Sequence, residues 1–483
     1  MDGFLVYSLV SAILFISLTF FIFHKHLTNK SRMPPPGSTG WPIIGEHMHL
    51  LYSGPEKFIN DRMKKYSPEV FKTSILGEKM VVFCGAGGNR FLFSNDKQLA
   101  TPWFPRSHLD PITTQTPATI TKSHKQLAVM HRNFLHQILK LENVKQYVTT
   151  MDAMARQHVT ADWAPFRKVK AYSLVKKYNF AVACNLFLSV QSSETVKRLA
   201  DAYSVLTYGL TSLPINLPGT AYNRAMKGGN MVRGELIKII QEKRMMMKMT
   251  GKTDEAGQDD LLSHLLAATY EDGNFLNDIE VCNNVVGILV PAYDTIGCAL
   301  TFAIKFLAEL PHIYGEVYKE QIEIAKSKAP NELLTWEDIQ KMRYSWNVVC
   351  ETIRLIPPAQ GAFREISEEI TYAGFTIPKG WKACWNFYTT HKDPNYFPDP
   401  EKLNPLRFEG RGPAPFTFVP FGGGSRMCSG KDYAKLNILV FIHNIVTRFK
   451  LETLVPNEKI IHVSSPVPAD GLPLRLKPHA SSY

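Results

Sequence analysis

The chain has 483 residues, 45% of them hydrophobic, with 55 Lys and Arg against 43 Asp and Glu, a net charge of +12. That length can bury a large core and would allow about three domains, yet no internal repeat, low-complexity tract or long Ser/Gly linker divides the chain. Without clustered basic runs or interleaved aromatics, the positive charge argues against a nucleic-acid partner and for a basic face toward an anionic membrane or an acidic protein.

Residues 4–23 form an uncharged, strongly apolar run, long enough to cross a bilayer as a helix. Asp2 precedes it and Lys25, Lys30 and Arg32 follow, which puts the remaining chain on the cytosolic side by the positive-inside rule. A cleaved signal peptide is the competing reading, but the basic leader, shorter apolar core and small-residue cleavage site are all missing. Residues 1–33 are thus expected to be a membrane anchor with its flank. Pro34-Pro-Pro-Gly-Ser-Thr-Gly-Trp-Pro42 makes 34–45 a stiff proline-rich hinge, and 46–483 the folded domain. The seven cysteines (84, 184, 282, 298, 350, 384 and 428) are odd in number and scattered. They make no disulfide framework and suit a reducing compartment; Cys184 and Cys350, in apolar helical surroundings, read as core.

Further along, the polar stretch 250–260 reads as an exposed loop between helices. Residues 279–310 are largely apolar and read as one long helix, in which Pro291 removes a backbone donor and forces a kink. Within it Asp294 precedes Thr295; alone, such an acid–alcohol pair is most often helix surface or a local cap. Glu351 and Arg354 share one helix face, and Pro357-Pro358 end that helix. A solvated pair there would be worth little. The apolar surroundings favour a buried, architectural one.

The segment Pro420-Phe-Gly-Gly-Gly-Ser-Arg-Met-Cys-Ser-Gly430 carries the most chemistry. Gly422 to Gly424 let the backbone approach a flat object, and the apolar run at 436–441 predicts a helix starting just after Cys428. A cysteine at a helix N-terminus near Arg426 sits in positive potential, which favours thiolate and suits a cysteine-ligated haem. Four other readings compete. Cys428 could be an ordinary buried residue. A phosphate loop fails because Asp432 stands where Ser or Thr should hold magnesium. Zinc lacks a second cysteine at finger spacing, and a nucleophile has only His443, on the following helix, as a partner.

Phe421, Gly424, Arg426, Cys428 and Gly430 resemble the haem-binding signature F-x-x-G-x-R-x-C-x-G of the cytochrome P-450 monooxygenases. The resemblance implies one large, mainly α domain with small β-sheets behind the N-terminal transmembrane helix, and haem b with Cys428 as the axial iron ligand. It further implies Arg426 on a haem propionate, and Glu351 and Arg354 as an E-x-x-R pair completed by Arg407. Ala128-Val-Met-His-Arg132 resembles W-x-x-x-R, making Arg132 a second propionate contact, although Ala128 replaces the tryptophan. Pro291-Ala-Tyr-Asp294-Thr295 resembles the distal acid–alcohol motif. There Thr295 would hydrogen-bond dioxygen and Asp294 would help bring protons for O–O cleavage. Pro291 and Ala292 depart from that motif, and Ile296 stands where Thr or Ser is common.

Several segments, among them Ser212-Leu-Pro-Ile-Asn-Leu-Pro-Gly-Thr220 and Ile377-Pro-Lys-Gly-Trp381, resemble plant triterpenoid oxidases of the β-amyrin 28-oxidase kind, relatives of taxane hydroxylases. This implies a triterpene substrate oxidised with O2, C-28 being the first choice and another ring carbon the second. It implies NADPH-cytochrome P-450 reductase as partner, membrane lipid around the anchor, and the endoplasmic reticulum as location. Trp103, Phe104, Leu210, Val290, the turn after Pro358 and Val467 are carried over as pocket-lining candidates. The segment 107–125, with Pro291 and Tyr293, is expected to decide which carbon reacts. Reductase-independent rearrangement and a non-catalytic haem or sterol carrier are the alternatives; the Asp294–Thr295 pair speaks against both.

Overall fold

The computed structural model describes residues 33–479 apart from 43, 96–98, 100, 115–131, 133–134, 136–137, 251–259, 270–272 and 274. The expected anchor (save Met33), the 250–260 loop between its ends, and the 107–125 segment beyond residue 114 lie outside the described residues.

The expected long apolar helix runs Asp278–Glu309. Its start is written in the sequence: the Asn277 side chain accepts from the N–H groups of Ile279 and Glu280, while Glu280 returns a bond to the Asn277 N–H, a capping box. Helical geometry continues through Pro291, and Pro311 opens the next helix, Pro311–Lys326. The long helix is apolar enough to cross a membrane, but most of it is buried in the protein. The helices Ala171–Leu188, Ala221–Thr250, Arg343–Leu355 and Lys431–Val446 pack against it. Lys431–Val446 is buried along nearly its whole length, as a helix apolar on all sides must be.

A five-stranded sheet flanks this helical core. Its order is Val70–Ile75, Glu78–Phe83, Lys382–Asn386, Gly361–Glu365 and Thr101–Pro102. Lys382–Asn386 runs parallel to Glu78–Phe83 and antiparallel to Gly361–Glu365, and all five of its residues are buried. Register places Phe83 opposite Trp385 and Cys384 opposite Phe363. Three distant parts of the sequence thereby meet beside the cysteine loop. The proline-rich stretch is held against the edge of this sheet, where the Pro36 carbonyl accepts from the Lys72 N–H at 2.8 Å.

Candidate active site

Six of the seven cysteines are buried; Cys428 alone is exposed. Its loop is closed where the Cys428 N–H donates to the Phe421 carbonyl at 2.8 Å, and the Lys431–Val446 helix begins just beyond, capped by Gly430. Two of the three glycines make room for Phe93. A Cβ on Gly423 would stand 2.6 Å from the Phe93 ring, and one on Gly424, at φ 65°, 2.2 Å from the Phe93 carbonyl. Phe93, near the end of the Gly85–Ser94 helix, is wedged into the loop and meets Trp385 edge-on at 5.2 Å.

The surroundings of Cys428 act on its thiol in opposite directions. Protein crowds the exposed side chain enough that burial raises its pKa; the Gly430 N–H and Arg132 pull it down, and Asp432 pushes it up again. Arg132 is a cation that lowers it, and Asp432, in the helix's first turn, opposes that field. Arg132 reaches the loop directly, with Nη2 donating to the Met427 carbonyl at 2.8 Å. Arg426 is half-buried in the same loop.

Glu351 and Arg354 form a fully buried bidentate pair, with Nε to Oε1 at 2.6 Å and Nη2 to Oε2 at 2.9 Å. Arg354 also donates to the carbonyls of His391 (2.8 Å), Pro400 (2.7 Å) and Lys402 (3.2 Å). Glu351 Oε2 accepts from the Asn404 N–H at 2.9 Å. Arg407 is brought to the same carboxylate, its Nε 3.5 Å from Oε2 as an ion pair, while Nη2 holds the carbonyls of Pro398 and Asp399. The link onward to the cysteine loop is His391, which carries no signal in the sequence. Its Nε2 accepts from the Val419 N–H at 3.1 Å, and burial with Arg354 nearby lowers its pKa to about 3, so the ring is neutral.

On the long helix, Thr295 Oγ1 donates to the Pro291 carbonyl at 2.7 Å. The Asp294 carboxylate is held on both oxygens, by Lys176 Nζ on Oδ1 at 2.9 Å and by Ser464 Oγ on Oδ2 at 3.0 Å. Burial works to lower the Lys176 pKa, but Asp294, Tyr293 and Tyr172 outweigh it and keep the ammonium charged. Tyr293 is buried against the helices behind, its ring 3.9 Å from Lys176 Nζ and 4.9 Å from the Phe180 ring. It serves the core. Ile296 is buried as well.

Among the pocket-lining candidates, Leu210 is buried in the main core, and Val290 is buried on the long helix. Trp103 is half-buried and edge-on to Phe363 at 5.6 Å. Phe104 is exposed and stacks on His108 at 5.3 Å. Val467 is half-buried in the strand Pro466–Pro468. The described part of the 107–125 segment is tied down. Asn283 bonds both backbone groups of Thr114 at 3.0 and 2.8 Å, Tyr222 donates to Asp110 at 2.7 Å, and Arg233 to the Pro111 carbonyl at 2.9 Å.

This arrangement can be set beside known proteins. The cytochrome P-450 family profile matches residues 35–468. The chain belongs to the cytochrome P-450 family. A β-amyrin 6-β-monooxygenase of Solanum lycopersicum is 56% identical to this cytochrome P-450 over 99% of the chain and 100% of the relative. A β-amyrin 28-monooxygenase of the same species is 51% identical over 92% of the chain and 93% of its own length. One from Medicago truncatula is 48% identical over 96% of both. Among solved structures, a retinoic-acid-bound cyanobacterial CYP120A1 superposes with a TM-score of 0.81 at 29% identity, covering 93% of this chain and 100% of that one.

Cytochromes P-450 hold haem through a cysteine thiolate. The donor set here fits that group: one exposed cysteine, two arginines at its loop, and a buried Trp385 indole N–H beside the glycines with no partner among the described residues.

Proposed function

We propose that this cytochrome P-450 is a monooxygenase of a pentacyclic triterpene of the β-amyrin type, hydroxylating a ring carbon at the 6β position. The observation that carries this reading is the 56% identity, from end to end, with a β-amyrin 6-β-monooxygenase. Oxidation of the C-28 methyl up to the acid is the second reading, favoured by the 28-monooxygenases at 51% and 48% identity. One oxygen atom of O2 enters a C–H bond and the other leaves as water, with two electrons from NADPH and two protons.

Haem supplies the oxygen-activating chemistry when bound. Cys428 Sγ would hold its iron, and the Gly430 N–H and Arg132 would offset the thiolate charge. Arg132 and Arg426 would pair with its carboxylates, and Phe421, Gly424 and Gly430 would shape the loop around it. Glu351, Arg354 and Arg407 support that loop from behind. Thr295 Oγ1 keeps a lone pair free to accept while its proton points at the Pro291 carbonyl. Both oxygens of Asp294 are engaged, so delivery of a proton through it requires the side chain to let go of Lys176 or Ser464. The substrate rigidly presents one carbon, and the segment 107–125 together with Pro291 selects it.

In this reading residues 1–33 anchor the protein in the endoplasmic reticulum membrane, 34–45 form the hinge, and 46–483 the catalytic domain on the cytosolic side. NADPH-cytochrome P-450 reductase is the electron donor, and the basic net charge suits it. The test is expression in yeast with a β-amyrin synthase and a reductase, followed by mass spectrometry of the products. A 6β-hydroxylated product is expected; a C-28 acid alone would favour the second reading. No product from several triterpene skeletons would remove the substrate assignment.

A further inference from the structure

We propose that Asn179 is a positioning residue, oriented by Asn437, through which the cysteine-side helix sets the geometry of the distal acid–alcohol pair; this rests on the reading of Asp294 and Thr295 as that pair. Asn437 lies on Lys431–Val446, the helix that starts just after Cys428, and donates through Nδ2 to Asn179 Oδ1 at 2.9 Å. Asn179, on Ala171–Leu188, in turn donates through Nδ2 to the carbonyls of Ala292 at 2.7 Å and Tyr293 at 3.2 Å. Both asparagines are fully buried.

The direction of this chain of bonds follows from chemistry. Backbone carbonyls only accept, so Asn179 must present its NH2 to them, which leaves its oxygen for the NH2 of Asn437. Its position matters because Pro291 has no N–H and leaves the Gly287 carbonyl without its helical donor. Immediately beyond, three successive carbonyls receive side-chain donors: Pro291 from Thr295, and Ala292 and Tyr293 from Asn179. Asp294 and Thr295 come next. One turn before Asn179, Lys176 grips the Asp294 carboxylate. A single face of Ala171–Leu188 therefore holds both the backbone and the acid of the pair, and Asn437 fixes that face from the cysteine side. Two amides buried in an apolar helical core cost desolvation that these bonds help to offset.

The experiment compares full-length, haem-loaded wild type with Asn179→Leu, Asn437→Leu and the double variant. The haem content of each is checked from the carbon monoxide difference spectrum. Hydrogen exchange over 291–298 should accelerate in Asn179→Leu by about tenfold or more, while exchange over 300–309 stays as in wild type. With reductase and substrate, product formed per NADPH consumed should fall, by up to the roughly hundredfold that misplacing a reacting group can cost. Asn437→Leu should show the same changes at smaller size, and the double variant should be no worse than Asn179→Leu, because one residue acts through the other.

Wild-type exchange in Asn179→Leu, acceleration spread evenly over the whole helix, or additive effects of the two substitutions overturns the tie. Thr295→Ala is assayed alongside. If it is uncoupled while Asn179→Leu is not, the positioning role is wrong. If both stay coupled, the reading of the pair fails instead, and the exchange pattern decides the tie. Should Asn179→Leu not accumulate, Asn437→Leu is judged by the same readouts.

Discussion

Arg354 Nη1 donates to the backbone carbonyl of His391 at 2.8 Å, which makes a histidine the joint between the buried ion pair and the cysteine loop. The His391 ring carries the constraint to Val419 through Nε2, stacked between Phe387 and Phe418 at 5.2 and 5.3 Å. Replacing His391 by Leu leaves the Val419 N–H unpaired and should cost about 1–3 kcal/mol. The expected result is a lower thermal midpoint and reduced haem occupancy by carbon monoxide difference spectroscopy. A variant equal to wild type in both would show that the joint carries no load.

Arg354→Leu removes both arms of the bidentate pair and the donors to three carbonyls at once. Breaking a fully buried pair costs about 3–5 kcal/mol, enough to abolish haem incorporation. Arg407→Leu should be milder, since Arg407 meets Glu351 only at 3.5 Å. The Soret absorbance of the carbon monoxide complex per mole of protein measures both; equal losses would contradict the ranking.

Two signature glycines should part company. Gly424→Ala forces a Cβ to 2.2 Å from the Phe93 carbonyl at a positive φ, so it should fail to hold haem. Gly430 has φ −86°, and a Cβ there meets only Cys428 Sγ at 3.9 Å, ordinary contact. What Gly430 supplies is its N–H to the sulfur. Gly430→Ala should therefore keep a normal spectrum and Gly430→Pro should lose it. A haem-free Gly430→Ala protein would refute this division.

Thr295→Ala and Asp294→Asn should also differ. The first removes only the hydroxyl, so folding should hold while NADPH is consumed to release peroxide. The second strips a mostly buried Lys176 of its counter-charge, so a lower thermal midpoint should accompany slower turnover, by up to a few kcal/mol. Calorimetry together with peroxide quantitation separates them; equal midpoints for Asp294→Asn and wild type would discount the ion pair.

Acid should weaken the fold early. Burial lowers the pKa of His391 to about 3 and that of His158 to about 4, from 6.5, and that of His443 is also lowered. The unfolded chain takes up protons on these residues below about pH 6.5, whereas the folded chain resists until near pH 4. Stability is therefore full above 6.5 and declines as pH falls toward 4. Thermal midpoints measured across that interval check the slope; a flat profile would exclude buried neutral histidines.

Much of the site was legible because its signals are short-range. The spacing of Glu351 and Arg354, in apolar company and before two prolines, pointed to a buried pair, and the capping box at Asn277 marks where the long helix starts. Other residues were not legible. Lys176 meets Asp294 across 118 positions, Ser464 meets it across 170, and Asn437 meets Asn179 across 258. Asparagine, serine and lysine announce no chemistry by type. Lys176 and Asn179 share a helix face, but nothing local says which element that face meets.

By itself the sequence determined the class of chemistry and the helical architecture, because a glycine loop with one cysteine, an E-x-x-R helix and a long apolar helix are set by near neighbours. Only the tertiary structure decided that Phe93 fills the space the glycines make, that Tyr293 faces the core, that Arg132 reaches the cysteine loop, and that His391 and Asn179 join parts far apart. The reason is physical. Side-chain periodicity fixes which residues share a face, but which faces meet depends on how the whole set of helices and strands packs.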